Sequence, residues 1–200
     1  MPKEKQVYQF KITLNEIVPL IWRRIQVPEN YSFWDLHVAI QDVMGWLDYH
    51  LHAFRISLED GKFMEIGIPD NSGFQDDIDI IPGWEASLSS FLEELGMAME
   101  YEYDFGDRWR HEILFEGCFS KEQGTKYPRC IGGECACPPE DCGGVGGYYE
   151  LLKILKKKRG KEYQETMDWL GGKYDPDHFD SDKIRFSNPK KRFQKAFEIK

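Results

Sequence analysis

Cys130, Cys135, Cys137 and Cys142 stand within thirteen residues of one another, and their spacing is C-x4-C-x-C-x4-C. Thiolates grouped this closely bind a metal, form disulfides, or pack as reduced thiols in a tight loop. Zinc sites usually present C-x2-C knuckles, because a two-residue gap lets two sulfurs reach one tetrahedral ion. This chain has none, so the three readings stay open. Glu140 and Asp141 adjoin Cys142, face a cation on the metal reading, and disfavour a nucleophilic thiolate there.

Two further groups carry candidate chemistry. His50-Leu51-His52 reads as the start of a strand, which would place both imidazoles on one face. Such a pair either holds a metal or is a half-buried, hydrogen-bonded pair. The turn segment Asp104-Phe105-Gly106-Asp107-Arg108 is followed by His111. Asp104, Asp107 and His111 are candidate acid–base residues. The alternative is a turn in which aspartates accept local N–H groups. His50, His52 and His111 together with Cys130, Cys137 and Cys142 form the candidate metal ligands, with zinc as the candidate ion. Phosphate-loop, dinucleotide, nucleophile-elbow and HExxH patterns are absent.

These groups need elements to hold them. Alternation over 7–14, with Tyr8, Phe10, Ile12 and Leu14 on one side, predicts a strand, and 20–27 predicts a second. Ser32 and Asp35 form a capping box before Phe33, Leu36, Ile40, Val43 and Met44, and Gly45 is a stop. A third strand is expected over 50–58. Residues 60–86 read as a surface excursion with one short strand, and Leu88, Phe91, Leu92 and Leu95 as a short helix. Two strands follow, with Met97, Met99, Tyr101 and Tyr103, then Trp109, His111, Ile113 and Phe115, facing inward. After the cysteine loop and a flexible Gly143–Gly147 turn, helices are expected around Tyr148–Leu155, around Tyr163–Leu170 and over 189–199. The fold class is α+β: a mainly antiparallel sheet with a strand, strand, helix, strand opening of β-grasp type, and C-terminal helices packed on it. One domain spans 1–200, with a sheet-rich part at 1–117 and the cysteine loop and helical part at 118–200.

Composition bounds the function. The net charge is −9, which argues against whole-surface binding to nucleic acid. Lysines and arginines cluster at 153–161 and 190–192, either as solvated helix ends or as a local face for a protein or nucleic-acid partner. No apolar run reaches the length of a membrane span, and the N-terminal residues do not read as a signal peptide, so the expected location is the cytoplasm.

The stretches IWRRIQVP, GWLDYHLHAF, YEYDFGDRWRHEI, CPPEDCGGVGGYYELL and YDPDHFD, in this order, resemble the plasmid pRiA4b ORF-3-like family, also labelled TnpR-like insertion-element passenger proteins. The likeness runs from about residue 7 to about residue 185. It implies a protein tied to plasmids or mobile elements, with no activity to carry over; a serine-recombinase pattern is absent. It places His50, His52, Asp104, Asp107, His111, Cys130, Cys137 and Cys142 among the characteristic positions. The family more often has a basic residue where this chain has Cys135, so the resemblance implies three cysteines with an outside ligand, or no cage. The expected function is a cytosolic binding or accessory module. The competing expectation is a metal-dependent hydrolase using His50, His52 and His111 with Asp104 or Asp107.

Overall fold

The computed structural model describes residues 5–58, 61–69, 80–92 and 94–197. Eight strands form one sheet: β1 (Gln6–Leu14), β2 (Ile21–Pro28), β3 (His52–Ser57), β4 (Phe63–Gly67), β5 (Ile80–Pro82), β6 (Ala98–Tyr103), β7 (Trp109–Ser120) and β8 (Arg129–Glu134). Their order is β5-β4-β3-β6-β7-β1-β2-β8. Every pairing is antiparallel except β4 with β5. The helices are α1 (Phe33–Met44), α2 (Gly144–Lys157), α3 (Lys161–Trp169) and α4 (Pro189–Ala196). The expected α+β class and the strand, strand, helix, strand opening are both present.

Alternation produces the core as read from the sequence. Phe10, Ile12 and Leu14 of β1, Ile21 and Ile25 of β2, Met99, Tyr101 and Tyr103 of β6, and Trp109, Ile113 and Phe115 of β7 are buried together. Helix α1 covers this face. Asp35 N–H donates to Ser32 Oγ at 3.2 Å, Ser32 N–H donates to Asp35 Oδ2 at 3.0 Å, and Gly45 closes the helix in a left-handed conformation. That reciprocal cap contributes about 1 kcal/mol. Trp34 is buried under α4: Phe193 and Phe197 pack on the rings of Trp34 and Trp84. Arg192 of α4 adds an ion pair to Asp42 at 2.9 Å. One cation of the C-terminal basic cluster is therefore structural.

Four expectations change. The third strand starts at His52, so His50 lies ahead of it and the two histidines do not share a strand face. The helix expected at 88–95 is a single 3-10 turn, Leu88–Ser90, where only Leu88 is buried and Ser87 makes no side-chain cap. The excursion 60–86 contributes two strands, β4 and β5, while residues 70–79 lie outside the described part. The stretch before Cys135 is the edge strand β8, which the glycines Gly132 and Gly133 concealed. A Cβ on Gly133 would stand 2.8 Å from the Trp22 carbonyl and 2.5 Å from the Phe179 ring, so that approach requires glycine.

Arg23 of β2 is 1% exposed. Its Nε donates to the Val43 carbonyl at 3.0 Å, and Nη1 donates to the carbonyls of Trp22 and Glu134, each at 2.8 Å. The Phe179 ring lies 3.8 Å from its guanidinium carbon. One cation thus joins β2, the last turn of α1, β8 and the C-terminal segment. Hydrogen bonds from a charged donor contribute about 1.5–3 kcal/mol each, and leaving their acceptors buried and unpaired is costly. Arg23→Ala is expected to lower unfolding stability by about 3 kcal/mol in urea titrations, the range for a broken buried network. A loss below about 1 kcal/mol, the median for ordinary substitutions, would contradict this role.

Candidate functional site

The β6–β7 hairpin and the cysteine loop meet at one end of the sheet. Asp104 and Arg108 both adopt positive φ, and Asp104 Oδ1 accepts the N–H groups of Gly106 at 2.9 Å and Asp107 at 3.3 Å. The turn reading of Asp104 is therefore correct for one of its oxygens. Asp107 Oδ2 accepts from Gly143 N–H at 3.1 Å. The glycine run is not a free turn but the start of α2. A Cβ on Gly144 would stand 2.6 Å from the Asp107 carbonyl, and one on Gly147 would collide with the Cys142 carbonyl. Close docking of the loop on the hairpin demands these glycines.

Glu140 strengthens the junction. It accepts a short hydrogen bond from the Tyr103 hydroxyl and another from Leu47 N–H at 2.6 Å. Burial, then the neighbouring carboxylate, raises the Tyr103 phenol far above its ordinary value, so it remains a donor. Trp46 Nε1 donates to the Pro138 carbonyl at 3.0 Å, and the Tyr174 hydroxyl donates to the Cys137 carbonyl at 2.9 Å.

His50 faces this junction. Its Nε2 is 2.9 Å from Asp141 Oδ1 and 3.6 Å from Asp104 Oδ2. Among the described residues, His50, Asp104 and Asp141 form the group of three whose ligand atoms all lie within 4.8 Å of one another. Asp107 is beside them in the turn, but its carboxylate holds Gly143.

His52 and His111 are not part of that group. His52 is buried and stacks on His37, with centroids 3.4 Å apart and planes 7° from parallel. His37 Nε2 is hydrogen-bonded to Asp48 Oδ1 at 2.8 Å and Nδ1 to the Tyr101 hydroxyl at 2.9 Å. His111 is buried against Tyr101 and Trp46, with Nδ1 3.3 Å from the Tyr101 carbonyl. Burial, and for His52 also the adjacent His37, lowers both imidazoles, His52 strongly and His111 to about 4. They sit in the core as neutral aromatic side chains.

Cys130, Cys135 and Cys137 lie close enough to Arg23 to feel its charge. All five are free thiols, and the three-residue ligand group among the described residues contains none of them. Cys130 lies on β8 with its thiol 3.4 Å from the Gly132 carbonyl, and Cys137 is buried. Burial, then Asp107 and Asp141, pushes the Cys142 thiol up to about 12; burial likewise raises Cys130, Cys135 and Cys137. Neutral thiols pack as small apolar groups, and the guanidinium already supplies the positive charge facing Cys130, Cys135 and Cys137.

A separate hollow lies away from this junction. A groove of about 690 Å³ runs between the β1–β2 turn and helices α2 and α3. Ile17, Val18, Tyr149, Leu152 and Met167 line it, with Lys153, Lys156 and Lys158 on its α2 side and Asp175 and Asp177 at another edge. Val18, one of its lining residues, is 75% exposed.

This mixed α+β sheet, with a loop-on-hairpin junction built from the signature stretches, defines a family. The profile described as "Plasmid pRiA4b ORF-3-like protein" matches residues 6–183, and the chain belongs to that family. It is 34% identical over 166 residues to the uncharacterized protein y4hQ of Sinorhizobium fredii, covering 82% of this chain and 81% of that one. It is also similar to the crystal structure of MM3350, a protein of unknown function from Methanosarcina mazei Go1. There the TM-score is 0.80 and the identity 41%, covering 92% of this chain and 100% of that one.

The buried histidines make stability depend on acid. An unfolded histidine takes its proton near pH 6.5, whereas folded His111 resists until about 4. The unfolded state therefore binds more protons between those values, and stability falls as pH drops through that window. His111 alone accounts for about 3 kcal/mol of loss between pH 7 and pH 4, at about 1.4 kcal/mol per pH unit. Urea titrations of the wild type and His111→Phe across this range should diverge by about that amount. Parallel pH profiles would contradict a neutral, buried His111.

Proposed function

We propose that this protein is a binding module whose groove between the β1–β2 turn, α2 and α3 takes an apolar segment of a protein partner flanked by acidic residues. The observation that carries this reading is the groove itself. It is floored by aliphatic and aromatic side chains, while Lys156 and Lys158 on its α2 side have no ion-pair partner among the described residues. A pocket of this size and apolar character suits side-chain anchors, and nearby cations favour acidic flanks. The net charge of −9 favours a protein over a nucleic acid in the same place. The plasmid in the family's description supports an accessory role in plasmid or mobile-element biology.

The hydrolase reading asks His50, His52 and His111 to share one ion. The enclosure of His52 and His111 in the aromatic core gives that arrangement no support.

Selection of displayed peptides against the immobilised protein tests the binding reading. The expected winners carry two or more of Leu, Ile, Phe or Met beside Asp or Glu, and bind more weakly as salt rises. Leu152→Asp should weaken them by about tenfold or more, the effect of losing one apolar anchor. Lack of enrichment, affinity indifferent to Leu152→Asp, or stronger binding of single-stranded DNA than of any peptide would overturn it.

A further inference from the structure

We propose that His50, Asp104 and Asp141 form a binding site for one divalent transition-metal ion, with zinc as the fitting probe, which pins the cysteine loop to the β6–β7 hairpin. The site is separate from the groove, whose lining includes none of these three residues.

Three observations converge. First, the donor set is one imidazole nitrogen and two carboxylate oxygens, a combination that suits zinc and its neighbours better than the all-oxygen shells of calcium or magnesium. Second, the geometry is already close. Ligands about 2.0–2.2 Å from a tetrahedral zinc stand roughly 3.3–3.5 Å from one another. His50 Nε2 is 2.9 Å from Asp141 Oδ1 and 3.6 Å from Asp104 Oδ2, and all three atoms fall within 4.8 Å. Small side-chain movements would centre an ion.

Third, the donors come from three separate segments, and Asp104 is already held in position by its turn. Asp104 is only 8% exposed. Its Oδ1 is held by the turn N–H groups, but Oδ2 points at His50 from 3.6 Å, beyond hydrogen-bond reach. His50 Nε2 lies nearer Asp141 Oδ1, at 2.9 Å. Two carboxylate oxygens from separate segments thus face one imidazole nitrogen. A dication would bond both oxygens and the nitrogen at once. It would also join the loop, through Asp141, to the hairpin, through Asp104, and to the segment before β3, through His50. The fourth position would fall to water, because Asp141 lies at the surface, its side chain 63% exposed.

The test is zinc titration of the untagged, chelator-stripped protein by calorimetry, with thermal unfolding recorded with and without zinc. Asp141→Asn and His50→Ala are the variants of choice. Both positions are at least partly exposed, so they report binding rather than folding, and near-ultraviolet circular dichroism checks that packing is kept. The expected result is one equivalent of zinc per chain, a rise in wild-type Tm on adding it, and at least a tenfold loss of affinity in each variant with wild-type dichroism. Failure of the wild type to bind zinc would overturn the proposal. So would binding that survives both substitutions, or binding removed by Cys137→Ser and not by Asp141→Asn. Because Leu152 is not part of this site, zinc binding should be unchanged in Leu152→Asp, so the two proposals fail separately.

Discussion

The guanidinium of Arg23 is buried and held by main-chain carbonyls, and much of the molecule is arranged around that requirement. Burial lowers its pKa, but an arginine stays charged under any ordinary condition, so its donors must be met. Val43 offers a carbonyl from the last turn of α1, where helix carbonyls lack intrahelical partners. Glu134 offers one from the end of β8, and Phe179 a ring face. With these contacts made, β8 is fixed against β2 and the C-terminal segment against both. The cysteine loop then leaves β8 in one direction only, toward the hairpin. The thiols of Cys130, Cys135 and Cys137 line that cation as neutral, compact neighbours.

From that frame the junction follows. Pro138 and Pro139 carry the loop to Glu140, which Tyr103 and Leu47 hold, and Gly143, Gly144 and Gly147 let α2 begin against the hairpin backbone. Family stretches far apart in sequence therefore meet for a structural reason. IWRRIQVP supplies Arg23, YDPDHFD supplies Phe179, YDFGDRW supplies the turn, and CPPEDCGG supplies the clamp. Asp104, Asp107 and Glu140 spend most of their hydrogen-bonding capacity on backbone and phenol donors. Beside them, Asp141 and His50 meet at 2.9 Å, with Oδ2 of Asp104 3.6 Å from the same imidazole nitrogen.

The sheet was legible because its inward residues alternate with polar ones over whole strands, as at Phe10, Ile12 and Leu14, and α1 because Ser32, Asp35 and Gly45 mark both ends. Less legible were features decided by tertiary contact. Edge strand β8 contains Gly132-Gly133, a pair that locally favours a turn and is explained only by Trp22 and Phe179 above it. Trp34 of α1 is covered by Phe193 and Phe197 of the distant C-terminal segment, a contact with no local signal. The candidate site was half readable. His50 and Asp104 stood out, and Asp141 was visible only as a neighbour of Cys142, because nothing local places it against a histidine ninety-one positions earlier. His52 and His111 share the residue type of a ligand but occupy inward strand positions, where an imidazole is enclosed by aromatic rings.

The histidines divide by environment: His52 and His111 belong to the core, and His50 faces the junction. Long-range nitrogen–proton spectra of the imidazoles, recorded from pH 8 to pH 5 and again with zinc, test this division directly. His52 and His111 are expected to remain neutral throughout that range and not to shift with zinc, while the signals of His50 move when the metal is added. Protonation of His52 or His111 near pH 6.5, or a zinc shift at either of them, would contradict it.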